Sequence, residues 1–461
     1  MSTTGSTTRS VGRSTYFFGA LGGLLFGYDL GVVAGALLFL TPEMHLSPLQ
    51  KGMVTSSLLI GGMIGAVGCG RVTDRYGRRA TVLLSAVLFA VGAIGAALAP
   101  DVVTIIVFRV IMGLAVGAAS VTVPVYLSEV APAGSRGRLS GLNQLMISCG
   151  ILLAYLVNLA LSPFEAWRWM FALAAVPAVA LFAGAYLQPE SPRWLLRKGR
   201  EDDARAVLAR SRTPRELEAE LREIRAVLAA ERAGAGFREV FADRRIRRVL
   251  FLGIGLAVLQ QIIGINTIIY YAPTILTDLG FGDVAAIIAN AGLGALTVLV
   301  TVLMLVYVVD RVGRRRPLIL GAVGMGASMV LLAVIFFSGA AHGGSGGWIA
   351  IIGLAAFKVC FSLSWGGMVW ILLGEIFPLR VRGTAMGVAT LTNWLGNFAV
   401  GLLFPILLDV GAGTVFVVFA VLCGVACGFA YKWLPETRGR SLEQIEETLG
   451  LSEVAGATKA R

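Results

Sequence analysis

Apolar runs of about 20 residues recur along the whole chain, each long enough to cross a ~30 Å hydrocarbon core as a helix. They predict twelve membrane spans. Six lie near 15–40, 50–72, 80–99, 102–128, 140–161 and 167–188, and six near 248–277, 284–309, 317–338, 348–377, 383–408 and 412–434. Between the two sets, 191–247 breaks the pattern. There a charged stretch sets Leu217, Leu221, Ile224, Val227 and Leu228 at helical spacing, which predicts short amphipathic helices linking two halves. The expected division is a tail at 1–14, a six-helix bundle at 15–190, a helical linker at 191–247, a second bundle at 248–434 and a tail at 435–461. The fold class is all-α and membrane-embedded.

Composition removes the soluble alternatives. Of 461 residues, 57% are hydrophobic and 14% charged, against about 25% charged in soluble domains. The net charge of +12 is mostly arginine, and its distribution argues against nucleic-acid binding. Arg71, Arg75, Arg78 and Arg79 follow the second span, Arg136 and Arg138 the fourth, Arg311 and Arg314 to Arg316 the eighth, and Arg380 and Arg382 the tenth. The intervening loops are short and poor in basic residues. This is the positive-inside pattern, and it predicts that both termini and the linker are cytoplasmic, in a cell membrane. No cleavable signal peptide is expected. The five cysteines all fall in apolar runs and read as packing residues. Abundant glycine (58 residues) suits closely packed spans.

The halves repeat. GRVTDRYGRR, from Gly70, returns as VYVVDRVGRRR, from Val306; LSEVAPAGSRGRLSG, from Leu127, returns as LGEIFPLRVRGTAMG, from Leu373; PESPR, from Pro189, returns as PETRG, from Pro435. Three motifs in one order at nearly constant separation imply two pseudo-symmetric six-helix bundles with a site between them.

Candidate chemistry sits inside the spans. Asp29 lies deep in the first, where a charge costs at least ~2.5–3.5 kcal/mol and is retained for function. It stands about eleven residues from the outer end of its helix, and Arg109 about eight residues into the fourth span; at 1.5 Å per residue their depths differ by only ~5 Å. The two can meet. Making and breaking the pair would take up and release a proton; the competing reading is a permanent ion pair holding two helices. Gln260, Gln261 and Asn266 in the seventh span offer the donors and acceptors that hydroxylated ligands need, although helix packing could account for one of the glutamines. Trp370 and Trp394 lie mid-span, away from the interfaces where tryptophan collects. They can stack on a pyranose or simply pack the bundle. Lys358 in the tenth span either snorkels outward or lines an outer vestibule; the sequence leaves both open. Acids beside the loop arginines read as a cytoplasmic gate: Asp74, Arg75, Arg78, Glu129, Arg136, Arg168 and Glu190, with Asp310, Arg311, Arg314, Glu375, Arg382 and Glu436 in the second half. Solvated anchors are the alternative. His45 and His342 lie in loops, and no phosphate-cradling loop, ATP motif or metal-ligand spacing appears, so neither catalysis nor a bound cofactor is expected.

The D-R-x-G-R-R loops, PESPR, PETRG and QQIIGINTIIYYAP (260–273) resemble the sugar porter branch of the major facilitator superfamily over residues 15–440, and ILLAYLVNLALSPFEAWRWM (151–170) looks most like bacterial glucose/proton symporters. The resemblance implies that Asp29 and Arg109 couple a proton. It also implies that Gln260, Gln261 and Asn266 bind the sugar; Trp370, Trp394, Phe26, Tyr271, Asn393 and Ile151 complete the candidate set. Three positions depart from it: Ile151 and Val298 stand where many sugar porters have amides, and Gly367 replaces a proline. The expected ligands are a monosaccharide and a proton, the expected surroundings a bilayer, and the expected state a monomer. A facilitator, a symporter of xylose, galactose or inositol, and a transporter-like sugar sensor are the alternatives.

Overall fold

The computed structural model describes residues 13–130, 136–210, 212–231, 241, 243–308, 311–339, 344–378, 381–440, 444–445, 447 and 449. Among them, twelve segments are long and apolar enough to cross a membrane. The first half holds α1 (Arg13–Glu43), α2 (Pro48–Tyr76), α3 (Arg78–Ala97), α4 (Val102–Val130), α5 (Arg136–Leu161), and α6 and α7 (Trp167–Ala172, Ala175–Tyr186), which share the sixth span. Short helices α8 (Pro192–Arg197), α9 (Glu201–Leu208) and α10 (Pro214–Glu231) form the linker. The second half holds α11 and α12 (Arg244–Ile262, Ile265–Asp278), α13 (Asp283–Leu303), α14 (Arg315–Phe337), α15 and α16 (Gly344–Leu363, Trp365–Ile376), α17 (Arg382–Val410) and α18 (Ala412–Trp433).

Two breaks shape the second bundle. Gly264, between α11 and α12, has φ +98°, a left-handed value that favours glycine. Ser364 interrupts the tenth span between α15 and α16. Both breaks free backbone groups at membrane depth, where irregular backbone survives only if it is buried in protein or lines a cavity.

Close packing inside the first bundle depends on small residues. A Cβ on Gly113 of α4 would lie 2.0 Å from the Leu58 carbonyl oxygen of α2, so these backbones nearly touch. Across the bundles, α17 packs on α2 and α13 on α5. These two contacts exchange under the two-fold relation between the halves. A further cross-bundle contact joins α1 and α12. The end of the molecule bearing α8–α10 is called the linker end, and the opposite one the far end.

Candidate functional site

The first cluster belongs to the N-terminal bundle. Asp29 (α1) is 0% exposed and Arg109 (α4) 1%, and Arg109 Nη1 stands 3.6 Å from Asp29 Oδ1. Arg109 Nη2 donates to the Thr55 carbonyl at 3.4 Å, and its guanidinium carbon lies 5.8 Å from the Phe171 ring centroid. Neither carboxylate oxygen of Asp29 has a hydrogen-bond partner among the described residues. A guanidinium–carboxylate pair built for strength is bidentate with N–O distances near 2.7–2.9 Å. This one is a contact of charges without a hydrogen bond, so a proton can join the carboxyl without displacing a donor.

Thr55 ties that pair to the second bundle. Its hydroxyl lies 2.8 Å from the Tyr271 hydroxyl of α12, which is also 3.1 Å from the Gly401 carbonyl of α17. Nothing in the sequence singled out Thr55, because a lone threonine costs a membrane helix little.

The second cluster is a closed set of amides in the C-terminal bundle. Gln260 Nε2 donates to the Trp365 carbonyl at 2.7 Å and the Gly366 carbonyl at 3.3 Å, in the first turn of α16 just past the break. Asn393 of α17 donates to Gln260 Oε1 at 2.8 Å and to the Ala257 carbonyl at 2.9 Å. Gln261 Nε2 donates to Asn393 Oδ1 at 3.0 Å, and Asn266, just past the Gly264 break, donates to Gln261 Oε1. Four side chains from three helices thus satisfy one another. Each can exchange a partner for a ligand hydroxyl without first leaving a donor stranded.

Beside this cluster, aromatic rings of the two bundles meet. Trp394 stacks on Phe26 of α1 with centroids 5.8 Å apart and planes 16° from parallel. It also packs so tightly on α2 that a Cβ on Gly62 would lie 1.8 Å from the indole. Trp370 is half-buried on α16, about one turn beyond the Gly366 carbonyl that Gln260 engages. Ile151 is buried on α5, its carbonyl against Gly31 of α1, and its side chain is aliphatic. Asn397, one turn after Asn393, donates to the Tyr270 hydroxyl at 3.5 Å; that i, i+4 spacing was a signal the sequence offered and the candidate set omitted.

The charged residues at the linker end form two matching sets. Glu190 accepts from the backbone N–H groups of Arg78 (2.9 Å) and Arg79 (3.2 Å) at the start of α3. Glu129 pairs with Arg78 at 2.9 Å and accepts from Ser191 Oγ at 2.5 Å. In the second half Glu436 accepts from the backbone of Arg314 (2.9 Å) and Arg315 (3.3 Å), while Glu375 pairs with Arg314 at 3.1 Å and accepts from Thr437 Oγ1 at 2.5 Å. Each carboxylate thus sits where the helix dipole favours a negative charge or beside a guanidinium. Asp74 pairs with Arg197 of α8 at 2.6 Å, Arg75 lies over Tyr76, Arg311 lies over Tyr307, and Arg382 donates to the Phe377 carbonyl at 3.0 Å. Asp310 and the side chain of Arg136 lie outside the described residues. None of the contacts named here joins the two bundles.

Arg168 corrects the sequence reading. It pairs with Glu43 at 3.2 Å and donates to the carbonyls of Ala97 (3.2 Å) and Ala99 (2.8 Å), all at the far end of the bundle. The sixth span begins there, so Arg168 is a membrane's width from Glu129 and Glu190 and is no part of their cluster.

Glu436 lies outside the spans. Burial pushes its carboxyl up, but the backbone N–H groups of Arg314, Arg438, Arg315 and Thr437 outweigh burial and hold it below its ordinary 4.5. A carboxyl depressed on folding contributes stability above its unfolded value and loses it as pH falls through the folded one. The thermal midpoint should therefore fall as pH drops below about 4.5, and Glu436→Gln should flatten that limb. Equal acid slopes in both proteins would remove Glu436 from the response.

Comparison with known proteins places this arrangement. The family described as "Sugar (and other) transporter" matches residues 15–449. The chain is 45% identical over 438 residues to a D-xylose transporter of Levilactobacillus brevis, covering 94% of this chain and 95% of that one. It is 44% identical over 436 residues to the glucose transporter GlcP of Staphylococcus epidermidis, covering 94% and 96%. Among solved structures, an inward-open form of the Escherichia coli xylose transporter XylE matches with a TM-score of 0.81 and 31% identity, over 94% of this chain and 98% of that one. The twelve spans in two halves, the breaks that expose backbone beside paired glutamines, and these matches lead to one assignment: the chain belongs to the sugar porter family of the major facilitator superfamily and is a multi-pass membrane transporter of sugars.

Proposed function

We propose that this protein carries a hexose, glucose first, together with a proton by alternating access, with Asp29 and Arg109 as the coupling pair. The observation that carries the reading is the pair itself: both groups are buried, 3.6 Å apart, and the carboxylate accepts no hydrogen bond among the described residues. A pair kept only for structure would gain from short, bidentate bonds. Its second neighbour, Thr55, reaches Tyr271 across the interface, which gives proton binding a route to the opposite bundle. The amide cluster and the Phe26–Trp394 stack supply hydroxyl partners and a ring face for the sugar. The linker-end carboxylates and arginines fit a gate on the cytoplasmic side, and the basic loops fit both termini lying there. Related proteins include an E. coli galactose-proton symporter, 41% identical over 437 residues, which supports coupling.

The test is labelled-glucose uptake by the protein in proteoliposomes, with and without an inside-alkaline gradient. Accumulation above the outside concentration that needs the gradient is expected. Equilibration alone would make the protein a facilitator, and the absence of uptake would move the substrate to another sugar. Relatives that transport xylose and myo-inositol name the first replacements to try.

A further inference from the structure

Lys358 is a charge for which the transport scheme has no use. It lies on α15, six residues or about 9 Å along the helix before the Ser364 break. It is 3% exposed, so it does not snorkel to water or headgroups. Its side chain crosses to the other bundle: Nζ stands 5.3 Å from the centroid of the Tyr155 ring of α5. Among the described residues, Lys358 has no carboxylate partner and no hydrogen bond. A buried ammonium at membrane depth is costly, and such groups face a pathway or a counter-charge. Here the ammonium lies at the seam between the two bundles, with no counter-charge among the described residues.

The ring that the ammonium faces is fixed by two helices of the second bundle. The Tyr155 ring is held from behind by α13, where a Cβ on Gly294 would lie 2.8 Å from it, and its hydroxyl donates to the Ile269 carbonyl of α12 at 3.0 Å. One turn from Gly294, Asn290 buries an Oδ1 that has no partner among the described residues. On α5, one turn before Tyr155, stands the aliphatic Ile151. These neighbours set one cation against an aromatic face, with an acceptor on α13 that has no partner among the described residues. A neutral hexose would satisfy the acceptor through a hydroxyl and leave the cation uncompensated. A hexose ring bearing a carboxylate would satisfy both, and the loaded carrier would move with that charge neutralised.

We infer that Lys358 selects for acidic monosaccharides of the hexuronate type, its ammonium pairing with the carboxylate while the amide cluster holds the ring hydroxyls. This rests on the sugar-transport reading and refines its substrate class; glucose is the weaker ligand of the same site. A ligand that binds the folded protein raises its melting temperature by mass action. Thermal stabilisation of the purified full-length protein is therefore measured with D-glucose, D-glucuronate, D-glucuronamide and acetate at neutral pH. The amide keeps the ring and the shape and removes only the charge. Half-maximal stabilisation is expected at a concentration at least tenfold lower for glucuronate than for glucuronamide. Lys358→Met should bring the two together with glucose stabilisation retained, and Lys358→Arg should keep them apart. Coincident wild-type curves for acid and amide, with glucose still binding, would overturn the inference and leave the sugar reading standing. So would a preference that survives Lys358→Met, or acetate acting as well as glucuronate. If no sugar of either kind stabilises the protein, the hexose reading falls and this inference with it. Should Lys358→Met not fold, the acid–amide comparison in the wild type still decides.

Discussion

Asp29→Asn is expected to abolish accumulation of sugar against its gradient while leaving exchange of sugar across the membrane measurable. Asparagine keeps the shape of the carboxyl and removes its capacity to carry a proton, so the step that ties the solute to the proton gradient is lost. The proposed sugar contacts lie elsewhere, in the amides of α11, α12 and α17 and the Phe26–Trp394 stack. The variant also strands Arg109, which is 1% exposed and keeps only the Thr55 carbonyl as an acceptor at 3.4 Å. Losing one partner of a buried pair costs about 3–5 kcal/mol, so reduced yield alone would not be informative. Pairing the change with Arg109→Gln removes the stranded charge. The double variant should regain thermal stability and still fail to accumulate, which separates coupling from folding. Gradient-driven accumulation by the stable double variant, or by Asp29→Asn itself, would end the proton role and leave the pair as a structural bond. The measurement is labelled uptake and counterflow in the same proteoliposomes.

The twelve spans were legible because apolar runs of membrane length cannot be hidden, and the two-bundle arrangement because three motifs recur in order. What pairs with what was less so. The Asp29–Arg109 meeting followed from matching depth in two helices, a one-dimensional argument that needs no knowledge of rotation. Lys358 needed rotation: its helix is apolar all round, so hydropathy gave no face, and only packing against α5 shows that it points between the bundles. Arg168 was grouped with the linker-end charges although its span begins at the far end; its partner Glu43 lies on α1, far away in sequence, and nothing local announces the pairing. The breaks at Gly264 and Ser364 were read as continuous helix, because a glycine or serine within an apolar run is tolerated there and becomes a break only when neighbours take up the freed backbone groups. Gln260 and Gln261, although adjacent, reach each other at 3.5 Å and share Asn393, and each adds a partner of its own. One bonds the Ser364 break and the other Asn266, and Asn393 closes the circuit between them.

That circuit makes Gln261 the position where one substitution should weaken sugar binding most. Its Oε1 accepts from Asn266 and its Nε2 donates to Asn393, so Gln261→Leu removes the centre of the cluster and leaves two buried amides each short of a partner. An unsatisfied buried polar group costs about 1–3 kcal/mol. A sugar could supply replacements in the bound state, but only by diverting hydroxyls from the bonds that position it. Sugar affinity should therefore fall roughly 5–150-fold, the equivalent of about 1–3 kcal/mol. Gln261→Asn keeps both chemical functions on a shorter arm and should lose less. Gln260 anchors through the Trp365 and Gly366 carbonyls as well as Asn393, so Gln260→Ala should cost both affinity and stability. Direct titration of each purified variant with labelled sugar, beside its melting temperature, separates the two losses. If Gln261→Leu binds sugar as the parent does while melting lower, the amides hold the break in the seventh span together and the sugar is bound elsewhere along the interface.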